Sequence, residues 1–218
     1  MIDLNSKTVE CWFDYSSPFA YLGTTQIERV AREHGARVAW RPFLLGALFK
    51  QIGTPLVPLE SFGEAKRRHA RIDLERWADH WGVPFRFTSR FPLRTVDALR
   101  VTLLLDDALS LEGDRRASLV HAIMRACWVE DRDPADPDVL RACLREASLD
   151  PALLDRAGDA KQTLFDATTR AMEIGAPGAP CFVVGNQLFW GQDRLDFVGK
   201  ALAGWRVPAP GSRVSGST

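Results

Sequence analysis

Residues Val9–Gly23 read VECWFDYSSPFAYLG. The apolar run Val9 to Phe13 predicts a buried strand, and Pro18 opens an amphipathic helical pattern. A strand that turns directly into a helix puts Ser17 at the N-cap and Pro18 at the first helical position, where a missing N–H costs nothing. Free backbone N–H groups and the positive end of the helix dipole then converge on the Ser17 hydroxyl and favour an anion beside it. From these residues alone Ser17 reads two ways: an ordinary cap, or a placed donor for a bound anion such as a thiolate. Ser16 is the rival hydroxyl, and Ser17 is preferred because it directly precedes Pro18.

Outward from this stretch, Lys7–Asp14 reads as a strand, Ser17–His34 as a helix stopped by Gly35, and Arg37–Pro42 as a second strand. A β-α-β unit of about forty residues suits one right-handed crossover. The pattern then turns helical. Short apolar Leu44–Gly53 precedes a loop, Thr54–Phe62, marked by Pro55 and Pro58. Helical periodicity follows over Glu64–Trp81, Thr95–Leu109, Arg115–Val129, Pro137–Ala147, Pro151–Ala157 and Ala160–Ile174, with Asp-Pro caps at several starts. The β pattern returns at Ala179–Val184, a Gly185-Asn186 hairpin turn, Gln187–Trp190, and a last helix over Leu195–Ala203.

The order β-α-β, helical insert, β-β-α is that of a thioredoxin-type α/β fold interrupted by a helical domain. The expected bounds are 1–45 with 175–208 for the thioredoxin-like part and 46–174 for the insert. The polar stretch 209–218 is expected to be a disordered tail.

Composition narrows the function. The chain has 218 residues, 46% of them hydrophobic, enough for a sizeable core. Lys+Arg and Asp+Glu are both 28, so nothing calls for nucleic acid or an anionic membrane as partner. No basic segment followed by an apolar stretch opens the chain, and no apolar run is long enough to span a bilayer. Cys11, Cys127, Cys143 and Cys181 form no C-x-x-C pair and do not repeat at zinc-ligand spacing. Free thiols in a reducing cytoplasm are the expectation, with no metal.

Three segments would meet in this topology. The first is the Ser17 turn. The second is Gly178-Ala179-Pro180, at the entrance to the third strand. A cis Ala179–Pro180 bond would leave the Ala179 N–H and C=O available to a peptide-like ligand, whereas a trans proline at a strand start is equally ordinary. The third is Gly191-Gln192-Asp193-Arg194, whose N–H groups suit a carboxylate and whose Asp193 suits an ammonium; the plain alternative is a helix cap with a solvated ion pair. A ligand with a thiol, a peptide-like middle and a terminal amino-acid group would fit. Glutathione has all three.

At this point the motifs carry a resemblance. FDYSSPFAYLG (13–23), WRPFLLGALFK (40–50), DLERWADHWGVPF (73–85), the FPLRT and ALR segments across 91–100, and GAPGAPCFVVGNQLFWGQDRLDFV (175–198) resemble the glutathione-dependent 2-hydroxychromene-2-carboxylate isomerases. Those are close relatives of the kappa-class glutathione transferases, and both are similar to DsbA-type oxidoreductases. The resemblance implies that Ser17 hydrogen-bonds the glutathione sulfur, in the place held by a nucleophilic cysteine in the oxidoreductases. It implies that Ala179 and Pro180 bind the cysteinyl backbone and that Gln192, Asp193 and Arg194 lie at the γ-glutamyl end. Where the family commonly has Asn after the glycine of Gly53-Thr54-Pro55, this chain has Thr54, whose hydroxyl can still donate. Cys181 stands where Thr is frequent and reads either as inert core or as an oxidisable thiol.

Three functions follow. The first is a glutathione-dependent isomerase of a small aromatic carboxylate, a homodimer by resemblance. The second is a kappa-like transferase or peroxidase that consumes glutathione. The third is a non-catalytic glutathione- or peptide-binding module. With serine in place of cysteine, dithiol exchange is not expected. For the substrate carboxylate, Lys66, Arg67, Arg68 and Arg71 form a basic run, and Arg90 and Arg94 flank Phe91-Pro92. Tyr15, Phe19, Trp128 and Trp190 are candidates for an aromatic pocket or for core packing.

Overall fold

A computed structural model of the chain describes residues 7–105 and 115–207. Its centre is a four-stranded sheet in the order β2-β1-β3-β4. Strands β1 (Lys7–Phe13) and β2 (Ala36–Pro42) are parallel, from Lys7 opposite Ala36 to Phe13 opposite Pro42. Strand β3 (Cys181–Val184) runs antiparallel to β1, with Trp12 opposite Cys181, and β4 (Gln187–Trp190) returns beside β3. Because β1 is paired on both edges and covered on both faces, successive residues Cys11, Trp12 and Phe13 are all buried. That is why its sequence reads as an apolar run rather than an alternation.

Helix α1 (Pro18–Glu33) makes the parallel crossover from β1 to β2. Helix α9 (Leu195–Leu202) follows a three-residue 3-10 turn, Gln192–Arg194. Both helices pack against the sheet and against each other. Between β2 and β3 lie α2 (Leu45–Ile52), α3 (Pro58–Ser61), α4 (Glu64–Trp81), α5 (Val96–Leu103), α6 (Arg115–Trp128), α7 (Pro137–Glu146) and α8 (Lys161–Glu173). A 3-10 segment, Pro151–Ala160, leads into α8. The Asp-Pro starts work as caps: Asp136 accepts from Asp138 N–H and Asp150 from Ala152 N–H, each at 2.9 Å. This is a thioredoxin fold with a mixed sheet and an inserted helical region. Among the described residues no helix is long and apolar enough to cross a membrane.

Local differences from the sequence reading have physical causes. β1 ends at Phe13, not Asp14, because the Asp14 side chain is drawn into a turn. β3 begins at Cys181, after the cis Ala179–Pro180 bond. The expected loop 54–62 holds a single helical turn, nucleated by Pro58 at its first position. The expected helix 151–157 is wound as 3-10 and runs to Ala160. The end of the helix expected over 95–109 and the tail expected at 209–218 lie outside the described residues.

Candidate active site

The turn between β1 and α1 is built on Asp14, a buried carboxyl group. Its Oδ1 accepts from Ser16 N–H at 3.0 Å and from Thr95 Oγ1 at 2.7 Å, and its Oδ2 accepts from Leu45 N–H at 2.8 Å. Its backbone carbonyl accepts from Ser17 N–H at 3.1 Å. One side chain thus pins the turn to the start of α2 and the start of α5. Burial pushes its carboxyl above the usual range, against the pull of these hydrogen bonds. Sequence reasoning passed over Asp14; the signal was an acid at the end of an apolar strand, which needs several donors to be buried there. Tyr15 is tied next to it: its hydroxyl shares a 2.7 Å hydrogen bond with Thr102 Oγ1, and its carbonyl accepts from Trp128 Nε1 at 2.9 Å.

On this floor Ser17 is the N-cap of α1, in extended conformation. Its Oγ accepts from Ala20 N–H at 3.1 Å. The same hydroxyl donates to the Ala179 carbonyl at 2.9 Å. Two segments 162 positions apart therefore meet directly. The Ala179–Pro180 bond is cis, and the Ala179 carbonyl already accepts one hydrogen bond, from Ser17. The Ala179 N–H has no hydrogen-bond partner among the described residues, although Ala179 is buried. Ser16 lies outside the helix and gives its N–H to Asp14.

The third segment joins through the second: Gly191 N–H donates to the Pro180 carbonyl at 3.0 Å. Gly191 has φ of 107°, and a Cβ there would stand 2.5 Å from Asp193 Oδ1, so the turn requires glycine. Asp193 pairs with Arg194 at 2.8 Å in a half-exposed contact, and Gln192 is buried. Gln192 and Asp193 also line a groove of about 430 Å³ between α1, the end of α4 and α9. Its α1 residues begin at Arg29, twelve positions and about 18 Å of helix from Ser17. Thr54 follows Gly53, the left-handed end of α2, and its N–H bonds Phe49 O. As α2 starts against Asp14 and its eight residues rise about 12 Å, Thr54 stands beyond the far end of that helix from the turn.

The remaining candidates divide. Tyr15 and Trp128 have no exposed surface and are core; Phe19 is half-buried and Trp190 exposed. Of the basic residues, Lys66 lies over the Phe62 ring at 4.0 Å and Arg71 over Phe87 at 4.8 Å. Arg90 Nε donates to the Asp131 carbonyl at 2.9 Å. Cys181 is fully buried; burial pushes its thiol up to about 12, and its Sγ donates to Gly178 O at 3.1 Å. It is therefore an inert core thiol at neutral pH.

The fold and this turn define a class: residues 8–203 match the DSBA-like thioredoxin domain, and the chain belongs to that family. The chain is 30% identical over 203 residues to the 2-hydroxychromene-2-carboxylate isomerase of Sphingobium xenophagum, covering 88% of this chain and 96% of the relative. It is 23% identical over 214 residues to glutathione S-transferase kappa 2 of Caenorhabditis elegans, with 91% and 93% covered. A solved 2-hydroxychromene-2-carboxylate isomerase structure superposes with a TM-score of 0.78 at 22% identity, covering 90% of this chain and 94% of that one, which bears on the fold alone.

Proposed function

We propose that the chain is a glutathione-dependent isomerase acting on 2-hydroxychromene-2-carboxylate or a related aromatic ring-cleavage product. The observation that carries this reading is the Ser17 hydroxyl at the start of α1, bonded to the carbonyl of Ala179, a buried residue whose own N–H has no partner among the described residues. An orphaned backbone donor beside a serine at a helix N-terminus suits a ligand that brings a thiol on a peptide-like backbone. The 30% identity to a curated isomerase over nearly the whole chain supports the same choice.

When bound, glutathione would supply a thiolate that adds to the conjugated substrate and later leaves it, so that it acts as a cofactor. Ser17 would hold the sulfur and, with the α1 dipole, favour its anionic form. Ala179 and Pro180 would hold the cysteinyl backbone. Gln192, Asp193 and Arg194 would meet the γ-glutamyl end, and Thr54 would supply a further hydroxyl contact. For Asp193 to take an ammonium it must loosen its pair with Arg194, a half-exposed contact that costs little to break. A cation for the substrate carboxylate is available on the basic face of α4, where Arg71 is held over Phe87. The proposed setting is the cytoplasm and the proposed assembly a homodimer, both resting on the family resemblance.

The test is Ser17→Ala. Its turnover is expected to fall about 10²–10³-fold, as when one oxyanion-type donor is removed, while the dissociation constant for glutathione changes far less. Equal turnover of variant and wild type would remove Ser17 from the mechanism. The kappa relative favours a second reading, a transferase that consumes glutathione. Following substrate absorbance with and without net loss of thiol separates the two.

A further inference from the structure

We propose that Ser17 and the bound ligand's cysteinyl amide exchange places on the Ala179 carbonyl, so that backbone pairing releases the proton that activates the sulfur. The proposal rests on the glutathione reading of this site and adds what chemistry the thiol must bring with it.

In the free protein the one proton of the Ser17 hydroxyl is already committed. The hydroxyl accepts from Ala20 N–H at 3.1 Å and donates its one proton to Ala179 O at 2.9 Å. While that bond stands, nothing is left to donate to a sulfur anion. Beside it, the Ala179 N–H has no partner among the described residues. In an antiparallel narrow pair, facing residues exchange both N–H···O bonds. A ligand residue drawn alongside Ala179 would therefore accept from that N–H and give its own N–H to the Ala179 carbonyl. Its arrival displaces Ser17, whose O–H turns to the ligand's sulfur. The thiol proton passes to solvent, and no other covalent bond changes.

The activated substrates are thus thiols flanked by an amide N–H and an amide carbonyl. A plain thiol such as 2-mercaptoethanol leaves Ser17 on Ala179 and is not acidified.

The exchange makes an unusual prediction for calorimetry on the full chain. S-methylglutathione keeps the backbone but cannot form a thiolate. For this ligand Ser17 offers only its prior claim on Ala179 O, so Ser17→Ala is expected to bind it about threefold to tenfold more tightly than wild type, the size of one net hydrogen bond. Ser17→Gly, which keeps most of the capping preference, serves as the second variant and is expected to move the same way. Glutathione itself should develop thiolate ultraviolet absorbance on the wild type and not on either variant. Equal or weaker S-methylglutathione binding by the folded variants overturns the exchange, because Ala179 O would then hold both donors at once; the glutathione reading survives that result. Binding of neither ligand by any of the proteins overturns the glutathione reading and the exchange together.

Discussion

Asp14 is a buried carboxyl group whose side-chain donors come from three segments: Ser16, Leu45 and Thr95. Removing its acceptors strands the Leu45 N–H and the Thr95 hydroxyl in buried positions and the Ser16 N–H in a partly buried one. Asp14→Ala is expected to cost about 2–5 kcal/mol in urea unfolding. A loss below about 0.5 kcal/mol, the range of ordinary surface substitutions, would mean these donors find other partners and that Asp14 does not hold the turn. Ser17 differs in kind. Its capping bond to Ala20 N–H is ordinary helix chemistry, while its bond to Ala179 O couples the turn to the strand entrance. The same hydroxyl is therefore an ordinary cap and, in addition, a tie between the turn and the strand entrance.

At the scale of elements, α1 must lie close enough to β3 for Ser17 to reach Ala179. Gly23 permits this. A Cβ at that position would stand 3.1 Å from Phe182 Cζ and 3.1 Å from Pro180 Cγ. Both neighbours are rigid rings, so they yield poorly. Gly23→Val is expected to lower stability by about 1–3 kcal/mol through overpacking, and to widen the gap between α1 and the Pro180 loop. Denaturant unfolding checks the first part. Undiminished stability would show that α1 has room to withdraw. Elsewhere the elements follow local rules: Asp136 and Asp150 cap the segments they precede, and Gly35, Gly53 and Gly82 take the positive φ with which α1, α2 and α4 close.

At the scale of the molecule, the inserted helices and the sheet share one hydrophobic core. Phe13 and Tyr15 meet edge to face at 5.4 Å, and Phe85 stacks on Trp128 at 6.3 Å. Tyr15 reaches Thr102 of α5 and accepts from Trp128 of α6, and Asp14 reaches Thr95. The turn that carries Ser17 is thus fastened to the insert by buried hydrogen bonds. Heating is expected to give one calorimetric transition with matching calorimetric and van't Hoff enthalpies. Two resolved transitions would mean that the insert unfolds as a separate domain, and that the turn is anchored more weakly than these contacts imply.

The sequence by itself determined the order of elements, because apolar periodicity and Pro, Gly and Asp punctuation are local signals. It also marked Ser17, Gly178-Ala179-Pro180 and Gly191–Arg194 as chemically notable, since turn residues announce backbone geometry wherever they stand. Local signals did not show which partner each polar group takes. Tertiary structure decided that Ser17 sits on Ala179 O, and that Asp14, unremarkable in the sequence, holds three segments at once. The physical reason is range. A helix cap is fixed by residues three apart, whereas the Ser17–Ala179 bond spans 162 positions and exists only once the sheet has closed around β1.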